Sequence, residues 1–335
     1  MLDLRNFGLE VLPDEVLGIE GITRLLLDEN QLRSLPVETA AMTSITALSL
    51  TKNKMTAIPP SIANYTSLTY LDLDDNGLES VLAEIGSLQR LEFLSMLNNN
   101  IQMLPYEMGL LTNMKELRID EHTIKIPPRE VMEQGIDQTL RFLRNVHSAR
   151  QSNALDLSSM GNPNFPLIST ILPDIVDLKL YDNNLKELPR TINKLTALRS
   201  LALADNLLES LPDEMGGLSN LATLYLSRNS LTSLPDKLPH MSALTDLRLD
   251  MNMLERLPNQ FGQLYNLRRL QLEHNRLRDL PMSCMNLTAL EVLNLEFNEL
   301  VLIAGVHNMV SLKVLILSHN VLTSVPAGVG NLKVL

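Results

Sequence analysis

Two groups of side chains in the sequence could do chemistry. Histidine and cysteine side chains could act as bases, nucleophiles or metal ligands. Aspartates and glutamates interspersed with tyrosine, phenylalanine and arginine could instead bind another molecule by charge and by ring contacts. The chain has 6 histidines and 1 cysteine, against 39 acidic residues, 6 tyrosines and 6 phenylalanines. The histidines are His122, His147, His240, His274, His307 and His319, and the cysteine is Cys284.

The positions of these histidines and of Cys284 predict no catalytic, cofactor-binding or metal-binding site. The sequence has no Gly-x-Gly-x-x-Gly, P-loop, His-Glu-x-x-His or Gly-x-Ser-x-Gly motif. His274 and His319 occupy equivalent positions two repeats apart, so at ~4.8 Å per strand they stand ~10 Å apart, too far for ligands that lie ~2 Å from one metal ion. Cys284 follows a Leu-Pro pair, where a small apolar residue packs well, and we favour core packing over a reactive thiol. We expect a protein that is not an enzyme.

One repeated motif must position the acidic and aromatic residues. The pattern Leu-x-Leu-x-x-Asn-x-Leu recurs at steps of 23 residues, with one last step of 22. Phe7, His122 and Met160 replace the asparagine in three further copies, so the chain holds about 14 repeats. The asparagines of the motif are Asn30, Asn53, Asn76, Asn99, Asn183, Asn206, Asn229, Asn252, Asn275, Asn298 and Asn320.

The spacing within the motif predicts a strand, a turn and a helical return. Alternation in Leu-x-Leu places both leucines on one side of a short strand. A buried asparagine amide can bond to the backbone where the chain leaves the strand, and stacked amides satisfy groups that would otherwise be stranded in the interior. Most repeats continue Leu-Pro-x-x-Ile-x-x-Leu, as at Leu188, Ile192 and Leu195, which predicts a helical or 3₁₀ segment. Each repeat buries its leucines only when a neighbour stacks on it.

These motifs resemble those of leucine-rich repeat proteins over nearly the whole chain. The 23-residue form with Leu-Pro-x-x-Ile is most similar to the intracellular Ras-group and LAP scaffolds. The resemblance implies an α/β solenoid, a horseshoe with a parallel concave sheet, about 14 repeats and one inserted helix. It also implies a small GTPase or a phosphatase subunit as a possible class of partner.

The register breaks once, and the break predicts three segments. We expect a first repeat array over 1–127, a helical insert over 128–153 and a second array over 154–335, all in one continuous solenoid. The chain starts and stops inside a repeat, which we interpret as an excerpt of a longer protein. The insert is either a splice between arrays or a docking site. Its predicted helix, from about Arg129 to Val146, has one apolar face formed by Met132, Ile136, Leu140 and Leu143.

The residues that flank the two motif leucines are expected to face outward from the sheet. They form four columns: the position before the first leucine, the position between the leucines, and the two positions after the second leucine. Over 14 repeats these columns hold 17 acidic and 8 basic residues, which is most of the net charge of -11. Like charges on adjacent strands repel by ~0.2–1 kcal/mol per pair. The acids therefore either keep an exposed sheet soluble or attract a partner with a basic surface.

Aromatic residues in the same columns suggest interface hot spots, although each could equally cover a neighbouring strand. The sequence predicts two unlike protein-binding patches. Charge reversal at Asp72 and Asp74 is predicted to abolish binding to the first patch without changing thermal unfolding. The first patch comprises Asp28, Tyr70, Asp72, Asp74, Asp75, Phe93, Leu97, Asp120 and Glu121. The second comprises Tyr181, Tyr225, Arg228, Arg248 and Arg269, with Phe297 further along the sheet.

Composition narrows the function. A net charge of -11 and a pI near 5.1 disfavour nucleic acid and anionic membranes as partners. No apolar run is long enough to insert in a membrane, the N-terminus has no signal-peptide pattern, and one cysteine allows no internal disulfide, so we expect a cytoplasmic protein. The predicted function is a non-catalytic protein-interaction scaffold in intracellular signalling. Two alternatives remain: a regulatory or sensing domain of a larger enzyme, such as a Roco-type kinase and GTPase or a phosphatase, and an extracellular recognition ectodomain.

Overall fold

The Leu-x-Leu motifs form short parallel β-strands in a computed structural model of the chain. The structure describes residues 1–326 and 328–332, so residues 327 and 333–335 of the predicted second array lie outside the described residues. The chain divides into two compact units, which we term the N-terminal unit (Met1–Ser148) and the C-terminal unit (Ala149–Leu335). Whether the two arrays make one continuous solenoid stays a prediction.

The N-terminal unit contains a six-stranded parallel sheet whose strands pair in chain order. Motif leucines lie opposite each other, as Leu25 opposite Leu48 and Leu48 opposite Leu71, because every repeat has the same length. The strands are β1 (Leu2–Asp3), β2 (Arg24–Leu26), β3 (Ala47–Ser49), β4 (Tyr70–Asp72), β5 (Phe93–Ser95) and β6 (Glu116–Arg118).

The C-terminal unit contains an eight-stranded parallel sheet with the same order and register, so that Leu224 lies opposite Leu247. Its strands are β7 (Ala154–Asp156), β8 (Asp177–Lys179), β9 (Ser200–Ala202), β10 (Thr223–Tyr225), β11 (Asp246–Arg248), β12 (Arg269–Gln271), β13 (Val292–Asn294) and β14 (Val314–Ile316). The described residues thus form 14 strands, which confirms the predicted α/β solenoid of about 14 repeats.

Most repeats return from the strand through a 3₁₀ helix, as the Leu-Pro-x-x-Ile spacing predicts. Proline fixes φ and lacks an N–H, which suits the position just before a helical turn. Pro189 has this role with φ -71°, and Ile192 and Leu195 after it are buried. The 3₁₀ helices are Val37–Ala41, Pro60–Asn64, Ala83–Ser87, Tyr106–Leu110, Arg190–Lys194, Asp213–Gly217, Leu238–His240, Phe261–Gln263, Met282–Asn286, Val306–Asn308 and Val329–Asn331. The α-helices are α1 (Asp14–Leu17), α2 (Arg129–Met132), α3 (Ile136–Ser152) and α4 (Ile168–Ile171).

The core of each unit is a stack of aliphatic side chains. In β9 and just after it, the motif leucines Leu201 and Leu203 are both 0% exposed. Burying one leucine is worth ~1.5–3 kcal/mol, and each repeat contributes several such residues. Cys284 is part of this core and 1% exposed, and burial raises the pKa of its thiol to about 12. This environment agrees with the expected packing role, because a thiol with so high a pKa is a poor nucleophile.

The motif asparagines form the predicted ladder between repeats. The Nδ2 group of Asn206 donates to the carbonyl oxygens of Leu180 at 2.9 Å and Leu203 at 3.0 Å, and its Oδ1 accepts from the amide of Leu185 at 3.1 Å. Each amide therefore ties its own strand end to the preceding repeat. Equivalent bonds recur at Asn30, Asn53, Asn76, Asn99, Asn183, Asn229, Asn252, Asn275, Asn298 and Asn320.

The inserted helix differs from its predicted bounds. The main helix is α3, which begins at Ile136 and ends at Ser152, and the short helix α2 precedes it. Gly135, between the two helices, has φ +102°, a conformation that most L-residues avoid. Met132, Leu140 and Leu143 are buried as expected, but Ile136 is only partly buried.

Helix α3 packs closely on the last 3₁₀ helix of the N-terminal unit, Tyr106–Leu110. A Cβ atom on Gly109 would lie 2.8 Å from the carbonyl carbon of Leu143, so only glycine allows this approach. The Nε of Arg144 donates to the carbonyl oxygen of Gly109 at 2.8 Å, which satisfies a backbone group at the point of contact.

Candidate protein-binding face

The four columns that flank the motif leucines lie on the outward side of each sheet, which we term the strand face. In β4, Tyr70 and Asp72 are partly exposed on either side of the buried Leu71. In β10, Tyr225 is partly exposed next to the buried Leu224. The alternation arises because successive side chains of a strand point to opposite sides.

The backbone adopts an unexpected conformation in the fourth column, just before the ladder asparagine. Residues there have φ between 52° and 60°, the left-handed region that non-glycine residues rarely enter. The chain turns off the strand at this point, and the ladder bonds of the following asparagine hold the turn in place. The residues are Asn6, Glu29, Lys52, Asp75, Asn98, Ser159, Asp182, Asp205, Arg228, Met251, His274, Phe297 and His319.

Aromatic rings stack across neighbouring strands of the N-terminal sheet. The rings of Tyr70 and Phe93 are parallel within 5°, with centroids 4.5 Å apart. The guanidinium carbon of Arg118 lies 5.2 Å from the centroid of Phe93, and Arg118 also pairs with Glu116 at 2.6 Å. The structure therefore gives both of the first patch's aromatics a neighbour to cover while leaving each partly exposed. Leu97, two residues beyond β5, is likewise partly exposed.

Asp72 and Tyr70 are joined by a hydrogen bond. The Tyr70 hydroxyl donates to Oδ2 of Asp72 at 3.1 Å, and the amide of Asp74 donates to Oδ1 of Asp72 at 3.2 Å. Burial, followed by the nearby Asp72 carboxylate, raises the pKa of Tyr70 to about 12. The phenol is therefore neutral at physiological pH and fixes one oxygen of Asp72.

Asp74 is tied more strongly to the next repeat. Its Oδ1 accepts bonds of 2.6 Å from both the Ser95 hydroxyl and the Leu97 amide. Burial raises the pKa of Asp74, these two hydrogen bonds oppose the rise, and the charges of Asp72 and Asp75 add to it. Because an amide of the neighbouring strand depends on this carboxylate, reversing the charge at Asp74 should disturb folding as well as binding.

Two further acids of the first patch have similar structural bonds. Asp28 accepts from the Ser49 hydroxyl and, at 2.9 Å, from the amide of Thr51. Asp120 accepts from the amide of Asn98 at 2.6 Å. The sequence analysis missed this role, although a serine 21 residues after Asp28 and after Asp74 is a visible signal.

Most cations on this sheet are already engaged by other acids. Lys52 pairs with Glu29 at 3.0 Å, and Arg5 pairs with Asp3 at 2.7 Å. Among the described residues, the acids of the first patch take part in no ion pair. We term this set, Asp28, Asp72, Asp74, Asp75, Asp120 and Glu121, the acidic patch. Beside it, a depression of about 370 Å³ is lined by Arg5, Asp28, Glu29, Ser49, Thr51, Lys52 and Asp72.

The second predicted patch separates into distinct groups on the C-terminal sheet. The guanidinium carbon of Arg248 lies 4.4 Å from the centroid of Tyr225. Arg248 and Arg269 both reach the buried Asp246, at 3.5 and 4.0 Å. Arg228 pairs instead with Asp205, at 3.4 Å.

Two aromatics of the prediction lie outside that group. Tyr181 is 40% exposed and joins no ring stack among the residues that the structure describes. Phe297 lies between two histidine rings, with centroid distances of 4.4 Å to His274 and 4.0 Å to His319. We term these three residues the histidine–phenylalanine stack. The sequence analysis placed the two histidines two repeats apart but missed the phenylalanine between them, which a 23-residue step from His274 identifies.

Two searches bear on other kinds of site. Within 1–326 and 328–332, no three or more His, Cys, Asp or Glu side chains are grouped so that they could hold a metal ion. The same residues include no helix with the length and apolar character needed to span a membrane.

Comparison with known proteins agrees with the repeat structure. A family model described as leucine rich repeat matches residues 20–78, 196–254 and 242–300. No curated protein matches the chain by sequence.

Solved structures with similar folds come from bacteria and plants. The chain is 26% identical to the LRR protein LIC12759 of Leptospira interrogans, with a TM-score of 0.42, over 89% of this chain and 90% of that one. For an internalin (inlF) of Listeria monocytogenes, the identity is 19% and the TM-score 0.46, over 96% and 87%. For the plant peptide hormone receptor RGFR1, solved in complex with RGF2, the values are 22% and 0.49, over 97% and 60%. The repeated motif, the parallel sheets and the family match together show that this chain is a leucine-rich repeat protein.

Proposed function

We propose that the chain is a non-catalytic protein-interaction scaffold in intracellular signalling, and that a partner with a basic surface binds the acidic patch of the N-terminal sheet. The observation that carries the proposal is a set of acids with no ion pair in the described residues, next to a partly exposed ring stack. Leucine-rich repeat proteins are generally binding scaffolds without catalytic activity, which agrees with this role.

The hydrogen bonds of the acidic patch favour binding. Asp74 and Asp28 are held by neighbouring hydroxyl and amide groups, so little side-chain entropy is lost when a cation approaches them. The uncompensated charge would attract a basic partner over a distance and raise the association rate, which should fall with added salt. The stacked rings of Tyr70 and Phe93 supply apolar contact area beside that charge.

The proposed cellular context comes from the repeat type and the cysteine content. The Leu-Pro-x-x-Ile repeats of 23 residues resemble those of Ras-group and LAP scaffolds, which favours a small GTPase or a phosphatase subunit as partner. The only cysteine, Cys284, is buried, so neither folding nor stability depends on a disulfide within the chain. We therefore propose a cytoplasmic location.

The test compares a double charge reversal with a matched control. Asp72→Lys with Asp75→Lys reverses the patch while sparing the structural bonds of Asp74. The control, Glu38→Lys with Glu79→Lys, makes the same change in net charge at exposed positions outside the four columns. Immobilised chain is exposed to purified small GTPases, each in its GDP and GTP-analogue forms, and to phosphatase catalytic subunits.

We expect at least one of these proteins to bind the wild type and the control equally. The patch variant should lose about 10-fold or more of that affinity, because each reversed charge replaces an attraction with a repulsion. Equal affinity for all three chains would refute the role of the acidic patch.

A further inference from the structure

Three carboxylates occupy the third column of successive repeats in the C-terminal unit. Asp250, Glu273 and Glu296 each lie two residues beyond the end of β11, β12 and β13. Parallel strands are ~4.8 Å apart, so the three side chains form a row ~10 Å long. We term this row the carboxylate column.

The carboxylate column is incompletely satisfied within the chain. Asp250 accepts from the Ser227 hydroxyl at 2.5 Å, and Glu296 accepts from the Ser318 hydroxyl at 2.6 Å, but neither hydroxyl carries a charge. The middle residue, Glu273, has a buried Oε2 atom with no hydrogen-bond partner. Among the residues that the structure describes, no lysine or arginine forms an ion pair with any of the three.

The nearest cations are committed elsewhere. Arg248, on β11, bonds to Asp246 and lies over the ring of Tyr225. Arg269, on β12, also reaches Asp246. The column therefore keeps three negative charges on adjacent repeats, an arrangement that costs stability unless a cation from outside offsets it.

Flat rings border the carboxylate column on the side where the chain turns off the strands. The histidine–phenylalanine stack occupies the fourth column of the last three repeats, and Phe297 is 40% exposed. Met251, in the same column, is 43% exposed. A guanidinium group can stack on a ring while its N–H groups bond to a neighbouring carboxylate, so this pairing of rings and acids suits arginine.

We propose that the carboxylate column and the histidine–phenylalanine stack form a second docking strip, which binds an extended, arginine- or lysine-bearing segment of a partner protein. Alternate side chains of an extended segment recur every ~6.6 Å, so two basic residues at positions i and i+2 match a row ~10 Å long. A side chain between or beside them contacts Phe297 and Met251. The strip extends the proposed scaffold function to the other sheet, and it is independent of the acidic patch.

The experiment selects random linear peptides, displayed on phage, against the full chain at low ionic strength and neutral pH. We expect enrichment of peptides with arginine or lysine at i and i+2. The best enriched sequence is then made with a fluorescent label, and its affinity is measured by anisotropy. Loss of the peptide at high salt is expected because the contacts are ionic.

Two variants of the strip test which groups carry the binding. Glu273→Gln with Glu296→Gln keeps the shape and removes two charges, and should weaken the peptide about 10- to 100-fold, because charged hydrogen bonds are lost. Phe297→Asn removes the ring and keeps a residue that tolerates positive φ, and should weaken it about 2- to 5-fold. Far-UV circular dichroism verifies that each variant is folded.

The outcomes separate this proposal from the acidic patch. Asp72→Lys with Asp75→Lys should leave the peptide affinity unchanged; if that variant alone abolishes binding, the second strip is refuted while the acidic patch stands. Enrichment of peptides without basic residues, or equal affinity for the glutamine variant, also overturns the proposal. Binding of Ca²⁺ to the carboxylate column without any peptide enrichment would assign it to a cation instead.

Discussion

Replacing Asn206 with alanine should destabilise the C-terminal unit by several kcal/mol. The Nδ2 group of Asn206 lies 2.9, 3.0 and 3.1 Å from the carbonyl oxygens of Leu180, Leu203 and Ala204, and its two hydrogens are shared among them. Its Oδ1 accepts a fourth bond, from the amide of Leu185 at 3.1 Å. Alanine removes all of these contacts from a buried position.

The magnitude follows from the number of protons involved. Three protons are bonded, two from Nδ2 and one from the Leu185 amide, and a typical net hydrogen bond is worth ~1 kcal/mol. A buried N–H left without a partner adds ~1–3 kcal/mol. The expected loss in the free energy of unfolding is therefore roughly 3–5 kcal/mol.

The assay is urea unfolding followed by far-UV circular dichroism, with amide hydrogen exchange at Leu185. Exchange there should accelerate first, because each repeat contacts only its neighbours and the lost bond is local. Asn184→Ala is the matched control: Asn184 is exposed in the preceding repeat, and its loss should change stability by less than ~0.5 kcal/mol. A loss below ~1 kcal/mol at Asn206 would refute the ladder as a source of stability.

Two other predictions concern helix docking and pH. Gly109→Ala should destabilise the N-terminal unit by at least ~1–3 kcal/mol in urea unfolding, because a methyl group there overlaps the backbone of Leu143 in α3. Glu273→Gln should stabilise the C-terminal unit at neutral pH, because burial first, then the charges of Asp250 and Glu296, raises the pKa of Glu273. A raised acid pKa means that the folded state binds more protons, so wild-type stability falls as the pH rises above 4.5, the ordinary value, and through the raised one. Urea unfolding as a function of pH should show the two chains converging below pH 4.5.

Each of these predictions has a control or a contrary outcome. Gly217→Ala is the control for helix docking, because a Cβ there lies 3.4 Å from Cβ of Asn193, an ordinary contact. It should change stability by less than ~1 kcal/mol. For Glu273→Gln, a stability difference from wild type that does not depend on pH would show that burial of the charge is not the cause.

The repeat frame was predictable because leucine packing and asparagine bonding depend on one period. Every strand, the ladder and the 3₁₀ returns follow from a 23-residue register that the sequence repeats without ambiguity. The bounds of the inserted helix were less predictable. Gly135 interrupts the apolar pattern between Met132 and Ile136, and its positive φ separates α2 from α3. A glycine within a helical pattern was the available signal.

The candidate site was predictable by column but not by contact. The column pattern places Asp74 on the strand face, but not the hydrogen bonds that make it a structural acceptor for Leu97. Nor does the pattern specify that residues such as Phe297 take a left-handed conformation, because bulky side chains rarely do. Pairs 23 residues apart, as Tyr70 with Phe93 and Tyr225 with Arg248, were available from the sequence once adjacent repeats are compared.

The central claim, that the strand face is the recognition surface, is tested most directly by carboxyl footprinting. The full chain is treated with a carbodiimide and an amine, alone and with a protein that binds it, and the modified acids are identified by mass spectrometry. The account predicts that the partner protects Asp72 and Asp75 but leaves Glu38 and Glu79 as reactive as before. Protection of Glu38 and Glu79, with no change at Asp72 and Asp75, would contradict it.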